Sequence, residues 1–227
     1  MLTGHRCESV IEEGRAAVND EVQTTRLILR LMSVQFLEAY VSGNLARAEE
    51  LIGLRLSEEL RYQTKWMAIL LDDLRTDPEY RPWSLRAVGL ATSKAVIGTV
   101  GFHSRPNPEY LLPYVPDGIE LGYGIFTAYR RQGFAEEAVR GLIGWASQEH
   151  GIRNFAVSIS PANIPSIRLA AKLGFLKVGE RMDDEDGLEE VYAMKVAPPL
   201  PACAASLVAC PAPPEGTQTD FPSPLPR

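Results

Sequence analysis

The stretch Ile119–Gln148, IELGYGIFTAYRRQGFAEEAVRGLIGWASQ, changes its hydrophobic period halfway along. In Ile119-Glu120-Leu121-Gly122-Tyr123-Gly124-Ile125 the large apolar residues fall at every second position, the period of a strand with one face on a core. Past Gly133, the residues Ala135, Ala138, Val139, Leu142, Ile143 and Ala146 form a single helical stripe. Between the two lies Arg130-Arg131-Gln132-Gly133-Phe134-Ala135.

A glycine at a strand-to-helix turn lets backbone approach a ligand closely. The first turn of the helix that follows carries unpaired N–H groups and the positive end of the dipole, which suit a phosphate. Arg130 and Arg131, just before it, add charge able to grip an anion. These features together describe a diphosphate-binding turn. A dinucleotide fingerprint fits less well, because Gly122 and Gly124 lie inside the strand and the third glycine position is Thr127.

Arg-x-x-Gly-x-Ala between a strand and a helix resembles the acyl-CoA signature of the GNAT superfamily of N-acetyltransferases. A second segment, Asn163-x-x-Ser166-x-x-Leu169-x-x-Lys172-Leu173-Gly174-Phe175, resembles the second cofactor segment of that family, in the expected order and after an intervening strand. The likeness runs from about Thr24 to Val196 and is closest to the branch that acetylates N-terminal residues of ribosomal proteins. It implies an α/β (α+β) fold: a mixed, mostly antiparallel sheet with helices on both faces and a splayed central strand pair.

The rest of the chain agrees with one such domain. Its 227 residues suffice for one domain with a sizeable core plus tails, and 45% apolar with 23% charged residues is ordinary for a globular protein. No apolar run approaches the ~20 residues of a membrane span, and no basic-then-apolar leader opens the chain, so a cytoplasmic protein without a membrane partner is expected. The net charge of −6 is weighted to the first 22 residues, where Glu8, Glu12, Glu13, Asp20 and Glu21 face only Arg6 and Arg15. That distribution leaves no basic footprint for nucleic acid. Cys7, Cys203 and Cys210 are not at ligand spacing, so neither metal nor a disulfide framework is expected.

Residues 1–23 read as a loosely ordered N-terminal arm and 24–196 as the acetyltransferase domain. Residues 197–227 read as a Pro- and Ala-rich disordered tail, either uninvolved or a docking segment for a proline-binding groove. Inside the domain, Arg26–Leu31 reads as a strand, Ser33 as the cap of a helix through Tyr40, and Asn44 as the cap of another through Ile52. Ser57 is placed to cap one longer helix ending before Asp77-Pro78. Trp83–Ala91 and Ala95–His103 read as a hairpin, Ser104–Gly118 as a Pro-rich loop, and Asn154–Ser158 as a strand. Pro161–Leu173 covers a turn and helix, and Phe175–Met182 with Leu188–Val196 forms a final hairpin. By the resemblance, the early helices form a wall of the acceptor site, which Trp66 and Trp83 either line or leave for the core.

Acetyl transfer from a thioester to an amine needs a held cofactor, a neutral amine, a donor near the carbonyl oxygen and a proton for the leaving thiolate. The resemblance assigns acetyl-CoA to Ile125, Phe126, Thr127, Arg130, Arg131, Gln132, Gly133, Phe134, Ala135, Asn163 and Ser166. The oxyanion donor is then the backbone N–H of Ile125 or Phe126. Many family members carry a tyrosine as the thiolate's acid where this chain has Ala170, which excludes that mechanism here. In the ribosomal-protein branch the serine of the second segment takes the role, and Ser166 occupies it; the plain alternative is that Ser166 caps its own turn. A free thiol's pKa of ~8.5 means that the thiolate needs little help near neutral pH. Glu120, His103 and Asp183 are the candidate bases, each with a structural alternative. No cysteine lies in the motifs, so direct attack in a ternary complex is expected. The acceptor is a small-molecule amine or a protein N-terminus, and both a monomer and a homodimer are compatible with the reading. The rival reading is an acyl-CoA-binding sensor or adaptor without turnover.

Overall fold

The computed structural model describes residues 21–184 and 187–197. The expected arm and tail lie outside them, except that Glu21–Gln23, assigned to the arm, forms an edge strand, and Ala197 ends the described chain. Eight strands make one sheet in the order β1-β2-β3-β4-β5-β6-β8-β7. In sequence these are β1 (Glu21–Gln23), β2 (Leu27–Leu31), β3 (Arg86–Leu90), β4 (Val96–Phe102), β5 (Gly118–Ile125), β6 (Asn154–Ile159), β7 (Leu176–Asp183) and β8 (Gly187–Lys195). Every neighbouring pair is antiparallel except β5 with β6.

The helices are α1 (Val34–Val41), α2 (Leu45–Ile52), α3 (Glu58–Arg61), α4 (Thr64–Thr76), α5 (Phe134–Glu149) and α6 (Ile164–Leu173). Ser33 and Asn44 cap α1 and α2 by accepting the N–H groups of Phe36 and Arg47, each a contribution of about 1 kcal/mol. The single helix expected after Ser57 is instead two. Ser57 caps α3 through Leu60 N–H, but the chain leaves helical geometry at Tyr62 and Gln63 and starts again at Thr64 without a side-chain cap. Met67, Leu70, Leu71 and Leu74 form the buried face of α4, as the spacing predicts.

Two apolar layers sandwich the sheet. On one face, Ile119, Leu121 and Ile125 of β5 pack with Ala138, Val139, Leu142, Ile143 and Ala146 of α5. On the other, Phe36, Leu37, Tyr40, Leu60, Met67 and Leu71 of α1–α4 pack with Ala87, Val96 and Phe126. The sequence also placed Trp83 at the start of β3 and as a possible lining of the acceptor site. Pro78 and Pro82 hold Pro78–Trp83 in a 3-10 turn, and Trp83 is core, 5.8 Å from the ring of Phe102 and 5.7 Å from that of Trp145. Beside it, the fully buried Arg86 places its guanidinium 4.2 Å over the Trp145 ring and donates to the Pro82 carbonyl at 2.8 Å.

The feature that positions the site is the β5–β6 junction. The two strands pair over only three steps, Gly118↔Asn154, Ile119↔Phe155 and Glu120↔Ala156. Beyond them β6 continues with β8 while β5 continues with β4, so the pair opens into a wedge. Among the described residues no helix is long and apolar enough to cross a membrane.

Candidate active site

The wedge has two mouths. On the α5 side, Tyr123, Ile125, Arg130, Arg131, Gly133, Phe134 and Ala135 meet Asn163, Pro165, Ser166, Arg168, Leu169 and Lys172 of α6 around a groove of roughly 730 Å³. The fold thus brings both motif segments to one place. Arg131 and Gly133 adopt left-handed backbone, φ +60° and +80°, and no side chain caps the start of α5. Alternating left- and right-handed residues at a helix N-terminus turn successive N–H groups inward, a concavity that takes an anion.

Two expectations need correcting, those for the main-chain N–H groups of Phe126 and Thr127. Arg130 lines the groove, with its Nε donating to the Ile125 carbonyl at 2.9 Å. Phe126 cannot supply the oxyanion N–H, because it donates to the Ile97 carbonyl at 2.8 Å and its ring is buried against the α1–α4 layer. Thr127 N–H is taken by Glu59 Oε2 of α3 at 3.2 Å. The Gln132 carbonyl is held from the opposite side of the turn by Arg26 Nη1 at 3.1 Å. The parity of strand pairing explains the Phe126 correction. Glu120 O accepts from His103 N–H at 3.0 Å, and Phe126 N–H likewise faces β4. The even-numbered residues of β5 therefore bond to β4, and the odd-numbered Tyr123 and Ile125 turn their main-chain groups into the wedge.

Asn163 caps α6 by accepting Ser166 N–H at 3.3 Å, so Ser166 is not the cap of its own helix. Over Ser166 stands Tyr123, whose hydroxyl lies 3.5 Å from the Ser166 carbonyl. Burial pushes the Tyr123 phenol above its ordinary pKa, partly offset by a hydrogen bond with Ser166, so it keeps its proton at neutral pH. Tyr123 is a site residue that the sequence reading missed, since its place in the alternating pattern reads simply as core.

At the second mouth, on the α1–α4 side, sit Glu120 and His103. Glu120 is 0% exposed, its Oε2 lies 3.9 Å from His103 Nδ1 and 3.4 Å from Arg181 Nη1, and its Oε1 has no hydrogen-bond partner. His103 is half exposed and folds over Gly122, where an added Cβ would stand 2.4 Å from its Nε2. Arg181 also bonds Glu189 Oε2 at 2.9 Å and lies 3.7 Å from Asp183 Oδ2. Three carboxylates around one guanidinium leave this mouth electronegative, as an approaching cation requires. The Tyr110 ring lies under Arg181 at 5.0 Å; burial first, then the charge of Glu120, pushes its phenol well above the ordinary value. Tyr62, before α4, and Trp66, on it, are 85% and 59% exposed.

Glu137, in the first turn of α5, ties the Arg130–Ala135 turn to Thr24 and Arg26, just before β2. Burial alone would raise its pKa, but hydrogen bonds from Thr24 Oγ1, Arg26 N–H and the Arg26 guanidinium outweigh that and hold it below the ordinary carboxyl value. A carboxyl depressed in the folded state stabilises fully above its unfolded pKa, and that stability is lost as pH falls through the folded value. Melting temperature is therefore expected to fall below about pH 4.5, and Glu137→Gln to shallow that slope. An acid limb that Glu137→Gln leaves unchanged would count against this coupling.

The chain belongs to the GNAT acetyltransferase family: the acetyltransferase (GNAT) domain matches residues 26–176. An uncharacterised N-acetyltransferase of Bacillus subtilis, YoaA, is 26% identical over 162 residues, covering 70% of this chain and 84% of that protein. Solved structures share the fold. The ribosomal-protein-S5-alanine acetyltransferase of Vibrio fischeri matches with TM-score 0.53 at 17% identity, over 77% of this chain and 96% of that one. RimL, the ribosomal L7/L12 α-N-protein acetyltransferase, in complex with coenzyme A, matches with TM-score 0.51 at 16% identity, over 78% and 98%. The fold neighbours thus include ribosomal-protein acetyltransferases.

Proposed function

We propose that the protein is an acetyl-CoA-dependent N-acetyltransferase acting on a primary amine, either a protein N-terminus or a small-molecule amine, by direct attack within a ternary complex. The observation that carries this is the wedge between β5 and β6, with an anion-binding turn at one mouth and a buried carboxylate beside a histidine at the other. In this reading the catalytic unit spans residues 24–196. The ribosomal-protein acetyltransferases among the fold neighbours support an N-terminal amine, and RimL with bound coenzyme A supports the coenzyme.

The residues present fit the coenzyme. Arg131 offers charge to the groove, the left-handed turn offers N–H groups to a diphosphate, and the main-chain groups of Tyr123 and the N–H of Ile125 face the wedge, where the amides of an extended arm would lie. Acetyl-CoA supplies the acetyl group already activated as a thioester. The Ile125 N–H is the main-chain donor for the carbonyl oxygen, since the Phe126 N–H is spent on β4. Glu120, with His103 beside it, draws the proton from the incoming ammonium, and Arg181 holds the carboxylate in place. Tyr123 and Ser166 hold a proton where the thiolate leaves.

A thiol-release assay with acetyl-CoA and a panel of N-terminal peptides and small amines tests this reading. Amine-dependent release is expected; CoA binding with no release across the panel would favour the non-catalytic sensor. Within the assay, Tyr123→Phe and Ser166→Ala divide the acid's role. A loss of about ten- to hundred-fold in kcat for one of them, with the KM for acetyl-CoA retained, marks the proton donor. Equal, near-parental rates for both would remove the pair from the mechanism.

A further inference from the structure

Gly133 borders two grooves. One is the coenzyme groove; the other lies on the far side of the turn, between β1 and α5, and holds Arg26. There Arg26 Nε donates to Glu137 Oε2 at 2.6 Å, Nη1 donates to the Gln132 carbonyl at 3.1 Å, and the guanidinium carbon stands 4.5 Å from the centre of the Phe134 ring. Glu137 Oε1 closes the cluster by accepting from Arg26 N–H and Thr24 Oγ1, both at 2.7 Å.

Peptide planarity gives this cluster a consequence on the other side of the turn. The Gln132 C=O and the Gly133 N–H belong to one trans peptide and point in opposite directions. A guanidinium that pulls the carbonyl toward the β1–α5 groove therefore turns the Gly133 N–H toward the coenzyme groove. The turn needs such a hold, because Arg131 and Gly133 are both left-handed and no side chain caps α5. Arg130 Nε on the Ile125 carbonyl anchors one end, and Arg26 anchors the other.

We propose that Arg26 is a positioning residue for coenzyme binding: reaching across from the start of β2, it fixes the Gln132–Gly133 peptide so that the Gly133 N–H faces the diphosphate. The proposal rests on the coenzyme reading above. Arg26 acts through the peptide and need not touch the coenzyme.

The test is titration calorimetry with CoA on the full-length chain, read beside melting temperature, for the parent, Arg26→Ala, Arg26→Lys and Thr24→Val. Losing one charge-assisted bond that sets the turn should weaken CoA binding about ten- to hundred-fold. Arg26→Lys, which cannot serve Glu137 and Gln132 together, should fall between Arg26→Ala and the parent. Thr24→Val loosens the same cluster but leaves Arg26 in place, so it should lower the melting temperature while CoA affinity stays within about two-fold. In the acetyl-transfer assay the Arg26 loss should appear mainly in the KM for acetyl-CoA rather than in kcat. Arg26→Lys carries the test should Arg26→Ala fail to fold. The proposal is overturned if either folded Arg26 variant binds CoA like the parent, or if Thr24→Val loses affinity as they do. A parent that binds no CoA overturns the reading of the groove itself, and this proposal with it.

Discussion

Gly133→Val is expected to weaken CoA binding more than a hundred-fold in calorimetry, and Gly133→Ala about ten-fold. Gly133 sits at φ +80°, where an L side chain costs roughly 1–2 kcal/mol and a β-branched one more. About 1.4 kcal/mol corresponds to a factor of ten, so the backbone term accounts for the alanine variant alone. Valine adds a second effect. A Cβ at this position would not point at the ligand; its nearest heavy atom is Arg26 Nη2, 3.4 Å away. Branching there would press on Arg26 and, through it, on the Gln132 carbonyl. Binding within three-fold of the parent for the valine variant would remove the diphosphate turn from the mechanism.

The second large effect concerns Glu120. Glu120→Gln keeps the side chain's shape but cannot accept the ammonium's proton, so kcat should drop about a hundred- to thousand-fold while the KM for acetyl-CoA holds. The same change leaves the guanidinium of Arg181 with, among the described residues, Glu189 and Asp183 as counter-charges, so the melting temperature should fall as well. His103→Ala should cost less, about ten-fold, if the histidine passes the proton on to Glu120. The opposite ranking would make His103 the base and Glu120 its support. An undiminished kcat for Glu120→Gln would take the carboxylate out of the chemistry altogether.

Much of this arrangement is written locally in the chain. The change of period across Gly133 locates β5, the turn and α5, and Ser33 and Asn44 announce their helices by side-chain chemistry that acts over three residues. What local pattern cannot carry is pairing at long range. The Arg26–Glu137 contact joins residues 111 apart, and nothing near either one signals the other. Which main-chain groups of β5 face the wedge depends on the parity of its pairing with β4, so the sequence alone leaves Ile125 and Phe126 as alternatives. Arg130 looks like a ligand in sequence because a guanidinium beside a phosphate turn usually is one; that its Nε also folds back to the Ile125 carbonyl is a contact the sequence does not announce. The break at Tyr62–Gln63 carries neither proline nor glycine, so only packing reveals it. Arg181 and Tyr110 were hidden for a related reason: the hairpin and the loop that bear them meet Glu120 only in the folded chain.

The three-step parallel pairing of β5 with β6 has a bearing on motion. Past Glu120 the strands β1–β5 and β6–β8 share no ladder, so the two halves of the sheet can rock against each other about that short seam. A ligand whose amides bridge the wedge would act as a missing strand, joining the halves. Deuterium uptake at Tyr123 and Ile125 should then be fast in the free protein and slow once CoA is added, while Phe126, already tied to Ile97, should exchange slowly in both states.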